Sequence, residues 1–223
     1  MKRLLDLLAS CCGLVVLAPL LGVIAAAIKL DSPGPVFFRQ ERMGRGFKPF
    51  SIYKFRTMVV DAVLKGGLLT AGDDPRITRV GRWLRVSKLD ELPQLINVLL
   101  GDMSLVGPRP EVRKYVELFR DHYETILRVR PGITDWASLQ YRDESAILAQ
   151  VVDPEEEYLH RILPDKLRLA EEYVRHSSVR LDLVLILLTL VKLLPWNGVD
   201  GFIRPGACPS NPKIRVGRVP PSP

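Results

Sequence analysis

Residues 7–28 run for 22 positions without a charged side chain. As a helix rising 1.5 Å per residue, such a run reaches about 33 Å, enough for a bilayer core. Pro19 lies near its middle. A proline there removes one backbone N–H and crowds the preceding turn, so a bend or break is expected. Lys2 and Arg3 precede the run; Lys29, Arg39, Arg42, Arg45 and Lys48 follow it. The positive-inside rule assigns both flanks to the cytoplasmic side, which a straight span cannot satisfy. Three readings compete: a cleaved signal peptide ending near Ala25-Ala26-Ala27, a single span, and a re-entrant helix-break-helix. The flanks favour the re-entrant anchor, over residues 1–30 with its break near Pro19.

The pattern then changes to short elements. Residues 31–35 (Asp-Ser-Pro-Gly-Pro) form a turn cluster. Residues 36–38 and 50–55 read as strands joined through Gly44, Gly46 and Pro49, and residues 65–75 as a polar loop. Across 76–88, Arg76, Arg79, Arg82 and Arg85 recur at spacing three beside Trp83, which suits an interfacial or an ordinary amphipathic helix. Residues 89–100 form the clearest amphipathic helix. Leu89, Leu92, Ile96, Leu99 and Leu100 fall on one side, and Asp90, Gln94 and Asn97 on the other. Asp90 as N-cap places Pro93 in the first turn, where a missing N–H costs nothing. A strand at 104–106 ends in Gly107-Pro108-Arg109-Pro110. Helices are expected at 111–127 and 154–174, with a strand-like stretch at 133–141 between them. Residues 181–194 are apolar but too short to span a bilayer. Seven of the 29 residues from 195 to 223 are proline, which predicts an extended tail. The fold class is therefore α/β, mostly helical with short strands.

The net charge of +7 is unevenly placed. Residues 29–88 hold thirteen Lys/Arg against five Asp/Glu, whereas residues 89–223 hold seventeen against nineteen. One block of the chain thus carries the positive potential and favours phosphate, nucleic acid or acidic lipid as partner. The three cysteines and three histidines show no ligand spacing.

Asp90-Glu91 directly follows that block. Carboxylates at a helix start ordinarily complement the helix dipole, and alone they would mean no more. Beside Arg79, Arg82, Arg85 and Lys88 they make a set able to hold a phosphate and a divalent cation, because Mg²⁺ takes one or two carboxylates plus phosphate oxygens. An Asp is ionised at neutral pH and needs no base to act as nucleophile. Arg109, framed by two prolines, suits bidentate phosphate recognition or a structural ion pair. Lys54 and Arg56 alternate with Tyr53 and Phe55 on a strand and either line a site or face solvent.

The run Ser87-Lys88-Leu89-Asp90-Glu91-Leu92-Pro93-Gln94-Leu95, continuing through Asn97-Val98-Leu99, Gly101-Asp102-Met103-Ser104 and Val106-Gly107-Pro108-Arg109-Pro110, resembles the bacterial sugar transferases known as monotopic polyprenyl-phosphate phosphoglycosyl transferases. Tyr53-Lys54-Phe55-Arg56-Thr57-Met58, Arg130-Pro131-Gly132-Ile133-Thr134 and the N-terminus with Lys2-Arg3, Asp6 and Pro19 are also similar. The match covers roughly residues 2–194. The resemblance implies a re-entrant membrane helix (1–30), a small catalytic domain with interfacial amphipathic helices (31–194) on the cytoplasmic face of the bacterial inner membrane, and a tail (195–223) outside the family pattern. It implies Mg²⁺, a UDP-sugar donor, undecaprenyl phosphate as acceptor, bacterial phospholipid as surroundings, and release of UMP. Asp90 would be the nucleophile and Glu91 its partner at the metal, with Lys54, Arg56, Arg85, Gln94 and Arg109 binding substrate. No nucleic-acid partner is implied, and there is room for a homo-oligomer. The competing reading is a non-enzymatic basic protein of membrane surfaces or nucleic acid. The chain departs from the common pattern at Ala18 before Pro19, at Asp135-Trp136-Ala137-Ser138, and at Ala170, where relatives often carry an acid.

Overall fold

A computed structural model describes residues 2–62, 70, 72 and 74–193. The expected tail at 195–223 and most of the loop at 65–75 lie outside the described residues. The chain is mostly helical with short strands. Helix α1 (Lys2–Asp31) is long and apolar enough to cross a membrane, and little of its apolar stretch is buried. It runs on through Pro19 as one helix. The expected break near Pro19 therefore does not take the form of an interruption.

Both ends of α1 are fastened to the rest of the chain. Lys2 Nζ donates to Val106 O, Tyr173 Oη and Asp182 Oδ2 at 2.9, 2.8 and 2.6 Å. Asp6 is buried and accepts from Ser104 Oγ and Leu105 N, each at 3.0 Å. At the other end, Ile24 and Ile28 pack against Phe55 and Leu84. Asp31 Oδ2 accepts from Val80 N at 3.0 Å and so caps the next helix. Between these anchor points Val15, Val16 and Val23 are exposed.

Strands β1 (Phe37–Met43) and β2 (Pro49–Phe55) form an antiparallel hairpin in the register Phe37↔Phe55 to Met43↔Pro49. Helix α2 (Arg79–Ser87) begins at Thr78, whose hydroxyl accepts from Gly81 N at 3.0 Å. The helix expected at 89–100 is instead divided. Leu89–Glu91 is a 3₁₀ turn, and α3 is Gln94–Leu100 with Pro93 at its N-cap. Asp90 is consequently no N-cap: Lys88, in the left-handed region at φ 58°, redirects the chain just before it. The sides of α3 also have an unexpected assignment. Gln94 and Asn97 are buried, whereas Leu100 is 64% exposed. Asn97 turns inward because the edge of β2 needs it: its Oδ1 accepts from Tyr53 N at 2.9 Å and its Nδ2 donates to Ser51 O at 2.8 Å. Helix α3 lies against α1, with Leu95 beside Gly13, and Arg3 adds hydrogen bonds to carbonyls near the end of α3, Val98 O and Leu99 O.

Strands β3 (Ser104–Val106) and β4 (Gly132–Thr134) pair in parallel. Their close approach requires glycine, since a Cβ on Gly132 would lie 2.0 Å from Gly107 N. The strand-like stretch expected at 133–141 stops at Thr134. Asp135 then caps α6 (Trp136–Gln140) by accepting from Ser138 N at 2.7 Å. The helix expected at 111–127 is broken at Phe119 into α4 (Arg113–Leu118) and α5 (Arg120–Ile126). After α7 (Glu144–Leu148), the helix expected at 154–174 runs as α8 (Pro154–Glu157), a π turn (Tyr158–Ile162) and α9 (Leu163–His176). Pro164 lacks the N–H that an α-helix would donate, and the wider π turn lies just before it. Helices α4, α5 and α9 enclose the main core around Tyr115, Phe119, Tyr123, Ile162 and Leu167. Helix α10 (Val179–Leu193) leaves Leu183, Leu187 and Leu190 exposed.

Candidate active site

Three chain segments converge on the carboxylate pair. The end of β2 delivers Lys54, the turn after β3 delivers Arg109, and the 3₁₀ turn presents Asp90 and Glu91. Lys54 Nζ donates to Glu91 Oε1 at 2.7 Å. Arg109 grips the same carboxylate with both arms, Nη1 to Oε2 at 3.1 Å and Nη2 to Oε1, the fork geometry that guanidinium favours. Asp135 steadies this arm by accepting from Arg109 N at 3.2 Å. Arg85, on α2, donates from Nε to Thr57 Oγ1 at 2.9 Å.

The two adjacent acids have opposite electrostatics. Burial by itself pushes the Glu91 carboxyl up, but Arg109 and Lys54 outweigh it and hold Glu91 well below the usual carboxylate range. Burial pushes Asp90 up, with the charge of Glu91 adding to it, while Lys54, Arg85 and Lys88 offset part of the rise. Lys54 is lowered, chiefly by burial, with Glu91 opposing. Burial also lowers Arg85. Glu91 is therefore a fixed anion whose oxygens are engaged. Asp90 is the more basic carboxylate, 8% exposed, and its Oδ1 is buried without a hydrogen-bond partner. Gln94 is 1% exposed, and its Nε2 is equally unpartnered. Orphaned buried polar atoms are uncommon in folded chains and require a reason; a ligand bound at this site would supply one.

Of the residues singled out in the sequence, Asp90, Glu91, Lys54 and Arg109 come together in one cluster, and Arg85 acts on Asp90 through its charge. Gln94 lies at the start of α3, immediately after the 3₁₀ turn. Arg56 does not join them. It is buried and spends its guanidinium on Pro33 O, Ser32 O and Ser32 Oγ at 2.7–2.8 Å, tying the end of α1 to the hairpin. Alternation along a strand would put Lys54 and Arg56 on one face, but β2 ends at Phe55, so Arg56 is not held to that register.

Lys88, which the sequence already sets beside the carboxylate pair, also reaches the site, and one contributor, Asp135, escaped the sequence reading. Lys88 adds positive charge near Asp90 while its Nζ donates to Arg142 O at 2.7 Å. Asp135 both caps α6 and holds Arg109; an Asp directly before Trp136-Ala137-Ser138 was a legible capping signal. Among the described residues no group of three or more His, Cys, Asp or Glu converges to enclose a metal. A cation at this site would have Asp90 and Glu91 as its protein ligands, which matches the sparse set that Mg²⁺ accepts when substrate phosphates complete its shell. Lys54 and Arg109 already engage both oxygens of Glu91, so Asp90 is the less committed of the two toward such a cation.

Residues 1–195 match the family model described as bacterial sugar transferase. The chain is 42% identical over 196 residues to the undecaprenyl-phosphate glucose phosphotransferase of Komagataeibacter xylinus, an alignment covering 85% of this chain and 35% of that protein. It is 37% identical over 200 residues to the UDP-N-acetylgalactosamine-undecaprenyl-phosphate N-acetylgalactosaminephosphotransferase of Aeromonas hydrophila, covering 88% and 44%. Against the uncharacterized sugar transferase EpsL of Bacillus subtilis (strain 168) it is 39% identical over 204 residues, covering 90% of each. The chain thus spans less than half the length of the first two of these relatives.

Proposed function

The chain belongs to the bacterial sugar transferase family, and from that premise we propose that it moves a phospho-sugar from a UDP-sugar to undecaprenyl phosphate, releasing UMP. One observation carries this reading. Of two adjacent buried carboxylates, Glu91 is neutralised by Lys54 and Arg109, and Asp90 keeps an unbonded oxygen. A buried carboxylate oxygen without a partner is costly to keep, and a bound ligand would satisfy it.

In the first step Asp90 Oδ1 attacks the phosphorus next to the sugar. A P–O bond to Asp90 forms, the P–O bond to the UMP phosphate breaks, and its electron pair leaves with UMP. In the second, an oxygen of undecaprenyl phosphate attacks the same phosphorus, giving a polyprenyl-diphosphate-linked sugar and returning Asp90 as the carboxylate. The raised basicity of Asp90 strengthens it as nucleophile. Repulsion between this anion and a diphosphate is the main obstacle, and Arg85, Lys88 and Lys54 lower it by the positive field they direct at the site. Arg109, fixed on Glu91, offers the outer face of its fork to phosphate. Gln94 Nε2 has a hydrogen bond to give. Mg²⁺, held by Asp90 and Glu91, would neutralise diphosphate charge as a Lewis acid.

The acceptor's lipid explains the anchor. Lys2, Arg3 and Asp6 at one end of α1, and Ile28 and Asp31 at the other, bind the same domain. This supports a re-entrant course with both ends at the cytoplasmic face of the bacterial inner membrane and the exposed middle in lipid. The test is UMP release from a panel of UDP-sugars by nanodisc-held protein with Mg²⁺ and undecaprenyl phosphate. Lipid-dependent release identifies the reaction and the sugar. Folded protein that releases no UMP with any donor would refute the reading and return attention to a binding protein.

A further inference from the structure

Helix α2 turns one face toward the segment that follows β2. Thr78, Gly81 and Arg85 recur there at spacings of three and four, so they stack on that face. Thr57 meets all three. Its carbonyl accepts from Thr78 N at 3.0 Å. A Cβ on Gly81 would lie 2.1 Å from the same oxygen, so this close approach requires glycine. Its hydroxyl accepts from Arg85 Nε at 2.9 Å. Thr57 is buried and Arg85 half-buried. The backbone of Thr57 is thus fixed on the start of α2, and its side chain reaches one turn further along.

The chemistry of the acceptor sets Arg85 apart from its neighbours. Arg109 is paired with the Glu91 carboxylate and Arg76 with that of Asp74, while Arg56 is bound to the carbonyls of Ser32 and Pro33. A hydroxyl carries no charge, so Thr57 orients the Arg85 guanidinium without neutralising it. With Nε engaged, the Nη1–Nη2 end remains, and among the described residues neither nitrogen has a hydrogen-bond partner. That end is a fork suited to two phosphate oxygens. Arg85 acts on Asp90 through its charge, yet no ion pair joins the two among the described residues. We propose that Thr57 is a positioning residue of the transfer reaction, its hydroxyl holding the open end of Arg85 toward the donor diphosphate at Asp90. Thr57 itself touches no substrate. This rests on the UDP-sugar donor assigned under the proposed function.

Thr57→Val keeps the shape of the side chain and deletes the hydroxyl. In nanodisc-held protein with Mg²⁺, it should lower kcat/KM for the UDP-sugar about tenfold and weaken UDP binding, read by calorimetry, by a similar factor. KM for undecaprenyl phosphate should stay within twofold of wild type. Thr57→Ser restores the hydroxyl and should recover donor kcat/KM to within threefold of wild type. The decisive comparison is a double-mutant cycle with Arg85→Met, which deletes the group that Thr57 holds. On that background Thr57→Val should cost less than a further twofold in UDP affinity and in donor kcat/KM. A merely structural threonine would cost the same tenfold again, and that result would overturn the proposal. So would a folded Thr57→Val with wild-type UDP affinity and donor kcat/KM, or one that loses only KM for the lipid. Should Thr57→Val fail to fold, Thr57→Ala carries the same cycle. UDP binding that shows the predicted cycle while wild type releases no UMP would instead keep the Thr57–Arg85 pair and sink the reaction.

Discussion

Replacing Glu91 by Gln keeps the shape of the side chain and deletes its charge. Lys54 and both arms of Arg109 then face a neutral amide in a largely buried setting. Stranding partners of a buried ion pair costs about 3–5 kcal/mol. The Arg109 side chain is a third exposed, so solvent recovers part of this, and about 3 kcal/mol is the working figure. For a domain of this size about 3 kcal/mol corresponds to a fall of roughly 6–12 °C in Tm. Thermal unfolding of detergent-held protein, followed by circular dichroism, reads this directly. The pH dependence has a definite sign. The folded-state pKa of Glu91 is depressed, so its stabilisation is present above the ordinary glutamate pKa and is lost as pH falls through the folded value. Wild type should therefore lose its advantage over Glu91→Gln in acid. Adding Lys54→Met to Glu91→Gln should restore part of the loss, because one stranded cation is gone. A Tm within 1 °C of wild type at neutral pH would refute the claim that Glu91 is the buried counter-ion of the site.

Three further outcomes follow from the geometry. The acid limb of kcat/KM for UMP release should report Asp90 titrating above the usual Asp value, and Lys54→Gln should move that limb to higher pH, since Lys54 lowers the Asp90 pKa; a shift to lower pH would contradict the assignment. Asn97→Ala should cost about 2–4 kcal/mol by orphaning Tyr53 N–H and Ser51 C=O, measured as a loss of Tm. Gly132→Ala should abolish folded yield in membrane extracts, because its Cβ meets the Gly107 backbone at 2.0 Å; normal yield would mean that the β3–β4 pair is looser than described.

Much of this architecture is legible in the sequence where the signal is local. The apolar run of α1, the hairpin of β1 and β2, and the strand before Gly107-Pro108-Arg109-Pro110 each rest on neighbouring residues. The charge cluster of Asp90, Glu91, Lys54 and Arg109 joins residues 18 to 37 positions apart, and only the family resemblance marks its members together. Errors arise where a tertiary partner decides. Periodicity sets the faces of α3 correctly but not which is buried, because the demand comes from the open edge of β2. Asp90 looks like an N-cap until Lys88 turns left-handed and Pro93 takes that place. Arg56 has the composition of a site residue, yet two carbonyls at the end of α1 claim it.

The central claim is that the unpaired oxygen of Asp90 takes the phospho-sugar. Intact-mass spectrometry of protein incubated with its UDP-sugar and Mg²⁺, without lipid, tests this most directly. Wild type should gain the mass of one sugar phosphate, mapped to the peptide holding Asp90 and discharged by undecaprenyl phosphate, and Asp90→Asn should gain none. A modified peptide lacking Asp90, or an Asp90→Asn protein still charged, would contradict the account.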